Sequence, residues 1–246
     1  MIHCTKILND VSTPKFYCQK FLMIMEILEN FSNLVYERIY KLAFPNTVTS
    51  FNKKQENLIT PSAIKANAKD ICSNWIYKCS CIRELLPRVY IDIIFLKILG
   101  FLKTESEIEK NILAIARKTA GISHPLIAFY LCTYLTKNVT FLYPRNKEFI
   151  LIIIEHLSKF EIDQTMIKKF GYENISAEEF EKIVDPCFEW IIYCLSINTN
   201  IVSIFTYLFL FNVLFLILEF IFFSDDFLSF LFIFITLASK IFMIYF

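Results

Sequence analysis

The sequence predicts an all-α protein: a HEAT-like α-solenoid of stacked antiparallel helix pairs, followed by a very hydrophobic C-terminal helical segment. Three observations carry this. Glycine is very scarce, at 3 in 246 residues, and turn-rich β sandwiches and barrels need many glycines. Stretches of strand period are absent. Amphipathic helices follow one another through short corners, in pairs that recur roughly every 40 residues, the order seen in HEAT arrays. Units of that kind bury their apolar faces on their neighbours.

The elements follow in order. Residues 16–44 read as one or two helices, with Phe31, Leu34, Val35, Ile39 and Leu42 forming a one-face stripe. A polar loop follows over 45–57. Thr60 then reads as a cap with Pro61 at the first helical position, where a missing N–H costs little. That helix is expected to reach about Leu86. Pro87 cannot continue it, because its ring clashes with the preceding turn and its N–H is absent. It can open the next helix, 88–102, which is apolar almost all round except for Asp92 and Lys97 and so reads as buried between neighbours. A tight corner is therefore expected at Leu86–Arg88.

Thr104 and Glu107 then form a capping-box pattern. Glu105, Glu107 and Glu109 load the start of that helix, and Arg117 and Lys118 its end, in the sense the helix dipole favours. Ile108, Ile112, Ile115 and Ala116 make its inner stripe, and Gly121 is expected as the C′ residue. Pro125 opens a helix over 125–137, and Pro144 another to about Lys159. Ser176 and Glu179 form a second capping box on a helix that leads to Val184. Pro186 is expected to restart the chain as a further helix.

Composition excludes several functions. The formal net charge is +1, with 25 basic and 24 acidic residues, so there is no bulk electrostatic case for nucleic acid. No phosphate loop or nucleophile elbow occurs. Cys79 and Cys81 point to different sides of a helix, and no second pair completes a metal site. They read as buried thiols, as do Cys187 and Cys194. His124 reads as a cap or packed side chain, and Trp75 and Trp190 as core anchors. No catalytic residue, metal, cofactor or small-molecule substrate is expected. The start "MIHCTKILND" lacks an apolar core region, so no secretory signal is expected and the eight cysteines are expected to be reduced thiols of a cytosolic protein.

Arg83, Glu84 and Arg88 cluster at the Pro87 corner. They read either as a solvated corner with an Arg83–Glu84 or Glu84–Arg88 pair, or as a partner-docking spot on a solenoid edge.

"AKDICSNWIYKCSCIRELLPRVYIDIIFLKILGFL", "GISHPLIAFYLCTYL" and "CFEWIIYCLSIN" resemble successive segments of the vacuolar protein sorting 35-like family. The resemblance covers residues 2–197, and "IRELLPRVY" is its most specific piece. It implies the N-terminal end of a non-enzymatic α-solenoid. In that family the solenoid is the large subunit of the retriever complex, within the Commander assembly, which recycles cargo from endosomes to the cell surface. The implied partners are an arrestin-like subunit and other subunits of those complexes. The implied location is the cytosolic face of endosomes, with membrane contact through the complex. By position, the resemblance makes Pro87, Arg88, Val89 and Tyr90 docking candidates for the arrestin-like subunit, beside Arg83 and Glu84.

Composition changes sharply after residue 200, which divides the chain into 1–200 and 201–246. The tail holds nearly half of the 27 phenylalanines and only Glu219, Asp225, Asp226 and Lys240 as charges. Ile201–Phe223 and Phe227–Phe246 are each long enough to span a bilayer at about 20 residues per crossing. They read as a membrane anchor or as translated T-rich non-coding sequence, whose codons favour Phe, Leu and Ile. The abrupt change where the resemblance stops favours the second. The anchor reading would make the chain an integral membrane protein whose helical part tethers a partner.

Overall fold

A computed structural model describes residues 2–45, 61, 64–160, 162–172 and 175–197. The described residues are helical, with no strand among them. The helices are α1 (Ile2–Ile7), α2 (Tyr17–Ala43), α3 (Ala66–Ser80), α4 (Leu85–Ile94), α5 (Leu96–Leu99), α6 (Glu105–Thr119), α7 (Pro125–Leu142), α8 (Phe149–Leu157), α9 (Gln164–Lys169) and α10 (Ala177–Ser196). A 3-10 turn, Pro14–Phe16, leads into α2. Within residues 1–191, α2 packs on α3, α3 on α4, α4 on α6, α6 on α7, and α7 on α8.

The core is built around α4 and α7. Val89, Tyr90 and Ile93 of α4 are fully buried. Val89 and Ile93 each contribute about 1.5–3 kcal/mol relative to exposure. Helix α7 is buried along nearly its whole length from Pro125 to Thr136. Two of its buried threonines bond a carbonyl one turn back, Thr133 to Phe129 at 2.8 Å and Thr136 to Cys132 at 2.8 Å. Tyr17 and Phe21 of α2 meet the Tyr130 ring edge-on at 5.1 and 5.0 Å, an arrangement the ring quadrupoles favour.

Helix α6 forms as its sequence predicts. Glu107 Oε2 accepts from both the backbone N–H and the hydroxyl of Thr104 at 2.9 Å, and Ile108, Ile112, Ile115 and Ala116 are all buried. At the start of α10, Ser176 and Glu179 exchange bonds of 3.3 and 3.2 Å.

Other elements differ from expectation. Helix α3 starts at Ala66 and ends at Ser80, so the corner is Cys81–Glu84 and not Leu86–Arg88. Thr60 lies outside the described residues. Pro144 lies ahead of α8, which starts only at Phe149. Pro186 does not restart the chain; α10 runs through it. The N–H that proline lacks would have bonded Lys182, and the neighbouring Ile183 carbonyl is met from α7 by the Tyr130 hydroxyl at 2.9 Å.

The inner stripe of α2 runs through Phe21, Ile24, Met25, Leu28, Val35, Tyr36 and Ile39, while Leu34 is 67% exposed. Trp75 is half-buried in a ring cluster with Phe31 and Phe95, but Trp190 is exposed. Cys187 and Cys194 are buried, whereas Cys79 is half-buried and Cys81 exposed. Gly121 follows α6 without a left-handed φ; a Cβ there would meet the Lys118 carbonyl at 3.2 Å and Leu85 at 3.3 Å. A side chain there would need those neighbours to give by a few tenths of an ångström.

The left-handed glycine is Gly171, at φ +80°. It closes α9 in a Schellman motif, with Gly171 N–H on Lys168 O and Tyr172 N–H on Ile167 O, both at 3.0 Å. That turn carries Tyr172 to His124, hydroxyl to Nε2 at 3.2 Å. Burial holds the His124 imidazole down to about 4.

Candidate functional site: the α3–α4 corner and its cleft

The last turn of α3 tightens, with Cys81 N–H on Lys78 O and Ile82 N–H on Cys79 O. Glu84 is the extended N-cap of α4, and its carbonyl accepts the Arg88 N–H at 3.1 Å. Pro87 is therefore the third residue of the helix. The N–H groups of the first turn have no intrahelical partner, so a proline there removes no bond.

The corner exposes Cys81, Arg83, Glu84 and Leu85. Glu84 pairs with Lys6 of α1 at 2.6 Å. The Arg83–Glu84 and Glu84–Arg88 pairs considered from sequence are replaced by this contact and by a pair one turn further along α4. Pro87, Val89 and Tyr90 are buried. Pro87 sets where α4 begins, and Val89 and Tyr90 hold it in the core. Arg83, Glu84 and part of Arg88 are left to face outward.

Arg88 is 22% exposed, and its Nε bonds both carboxylate oxygens of Asp92, at 2.8 and 3.0 Å. Lys118 reaches the same carboxylate from α6, Nζ to Oδ2 at 2.7 Å. These groups line a cleft of about 110 Å³ between α3, α4 and α6, together with Cys79 and Lys103. Lys103 Nζ bonds the Asn111 side chain at 3.0 Å. Burial pushes the Cys79 thiol up to about 11; the Asp92 carboxylate adds to this and Arg88 opposes it.

Sequence reasoning singled out Arg88 but missed its partners. Asp92 was within reach, since i,i+4 opposite charges face each other on a helix. Lys118 lies 26 residues beyond Asp92, and no local signal joins it to Arg88. Among the described residues, no group of three His, Cys, Asp or Glu could hold a metal.

A sequence model of the family described as VPS35L matches residues 1–185, which include the whole corner and cleft. The chain belongs to the VPS35L family. It is 35% identical over 204 residues to the Dictyostelium discoideum protein named VPS35 endosomal protein sorting factor-like, covering 79% of this chain and 20% of that protein. It is 30% identical over 199 residues to the Homo sapiens protein named VPS35 endosomal protein-sorting factor-like, covering 80% of this chain and 20% of that one. The Drosophila melanogaster relative, of the same name, is 29% identical over 205 residues, 79% and 20% of the two chains. The VPS35L-family chain thus spans about a fifth of the length of the curated relatives it matches. Among its described residues, no helix is long and apolar enough to cross a membrane. Ile201, Phe223, Phe227 and Phe246, the ends of the two apolar stretches, lie outside the described residues.

Proposed function

We propose that this chain supplies the N-terminal part of an α-solenoid scaffold, residues 1–200, in a retriever-type endosomal recycling complex of the Commander assembly. It performs no catalysis. It works at the cytosolic face of endosomes and docks an arrestin-like subunit at the α3–α4 corner. The observation that carries this reading is the VPS35L match across residues 1–185, joined to the all-helical fold. The curated relatives bear names of endosomal protein sorting factors, which supports the location and the process.

Exposure supports Arg83, Glu84 and Arg88 as the docking residues. Arg83 and Glu84 are exposed on the corner, and Arg88 lies beside them at the mouth of the cleft. Pro87, Val89 and Tyr90 act from inside, by fixing the start and seating of α4. An Arg at such an edge offers a planar fork of donors to an acceptor surface.

The test is a calorimetric titration of the full chain, in mild detergent, with the arrestin-like subunit. Wild type should bind. The double variant Arg83→Glu/Glu84→Lys should lose about 1–3 kcal/mol of binding if the corner holds a hot spot, with a stability loss of no more than about 1 kcal/mol from the exposed Lys6–Glu84 pair. Equal affinity for both would remove the corner from the interface. No binding by the wild type would remove the docking role.

A further inference from the structure

The cleft behind the corner holds a charge surplus. Arg88, Lys103 and Lys118 stand against one lining carboxylate, Asp92. Glu107, the other acid near Lys103, has its carboxylate on Thr104 at the helix start. Arg88 uses only Nε on Asp92; its two terminal nitrogens carry no hydrogen bond among the described residues. Lys103 is held by a neutral amide rather than by a counter-charge. Three partly buried cations sharing one carboxylate leave a positive field in the cleft that favours a further anion there.

We infer that this cleft receives one acidic side chain of a protein partner. The inference rests on the docking role of the α3–α4 corner. Size and shape choose the occupant. At about 110 Å³ the cleft is small, with room for a carboxylate on a short stem. The free edge of the Arg88 guanidinium matches a carboxylate in two-pronged geometry. In that pose the incoming acid and Asp92 share the cations: Asp92 on Arg88 Nε and Lys118, the newcomer on the outer edge of Arg88 and on Lys103.

The test uses the full chain in mild detergent and a fluorescein-labelled peptide of four glutamates, read by anisotropy, with inorganic phosphate as competitor. The peptide should bind, and binding should weaken as salt rises. Arg88→Gln and Lys103→Gln should each weaken it about fivefold to tenfold. Asp92→Asn removes the resident competitor and should tighten it, which a merely structural triad would not do. Should Asp92→Asn fail its thermal melt, Lys103→Gln decides alone, because Lys103 is bonded only to an amide. Carbodiimide coupling should join the peptide to Lys103 or Lys118. Wild-type affinity in both Gln variants overturns the inference, as does full displacement by phosphate at equal concentration. The same variants titrated with the arrestin-like subunit separate the two claims. Subunit binding that all three variants leave unchanged sinks the cleft and keeps the docking role. Peptide binding in the cleft, without any subunit binding, keeps the cleft and sinks the docking role.

Discussion

Replacing Arg88 by alanine tests how far the corner is structural. From sequence, an Arg in the first turn of a helix gains nothing from the dipole, and its loss would leave the melt nearly unchanged. The structure changes that expectation. Arg88 bonds both oxygens of Asp92, and the two side chains are only 22% and 16% exposed. Exposed ion pairs contribute about 0–1 kcal/mol, and breaking a fully buried one costs about 3–5 kcal/mol. This pair lies between, and Lys118 remains on Asp92 at 2.7 Å to keep the carboxylate paired. Arg88→Ala should therefore cost about 1–2 kcal/mol. For a chain of this size each kcal/mol moves Tm by about 2–4 °C, so the fall should be about 2–8 °C. Asp92→Ala should cost more, because it leaves Arg88 and Lys118 facing each other with no counter-charge. The double variant should cost less than the sum of the singles by about 1 kcal/mol. Thermal melts of the full chain and the three variants in one detergent measure all of this. A wild-type melt for Arg88→Ala, with strictly additive effects, would refute the pairing and return Arg88 to the solvated corner.

Three further outcomes follow from the fold. Burial lowers the pKa of His124 to about 4, and His156 is lowered in the same direction. Unfolding then takes up protons below the ordinary value near 6.5, so Tm should be flat above about pH 7 and fall as pH drops from 6.5 toward 4; His124→Gln should flatten that profile in a pH series of melts. Pro186→Ala restores a helix N–H at an exposed position of α10. It should raise Tm, the gain being about 3 kcal/mol at most for a helix-interior proline, less about 0.4–1 for lost rigidity of the unfolded chain. Gly171→Ala forces a Cβ into a left-handed turn at φ +80° and should lower stability by about 1–2 kcal/mol, read in the same melts.

How much the sequence disclosed varied with where each element's causes lie. Helix α6 was legible throughout, because its cap, its charge gradient and its inner stripe are all local. The start of α7 at Pro125 was legible for the same reason. The corner was placed too late because a proline was read as a first helical residue, whereas any position of the first turn tolerates one; Pro87 is third. Pro186 was read as a break, but α7 packs beside α10 and supplies the Tyr130 hydroxyl there, which local sequence cannot reveal. Leu34 fits a helical stripe, yet it faces outward because the buried face of α2 is set by Tyr36, Ile39 and the rings packed on them. At the site, Arg88 was found by pattern. The carboxylate it grips was one helical turn away and readable, and Lys118, on another helix, was not.

The central claim is that the chain docks a partner at the α3–α4 corner. Amide hydrogen exchange on the full chain, alone and with the arrestin-like subunit, tests it most directly. Docking at the corner should slow exchange mainly at residues 81–88, with a smaller effect at the cleft face of α6 around Asn111–Lys118, and little change in α8 and α9. Protection confined to α8–α10, with residues 81–88 exchanging as in the free chain, would contradict it.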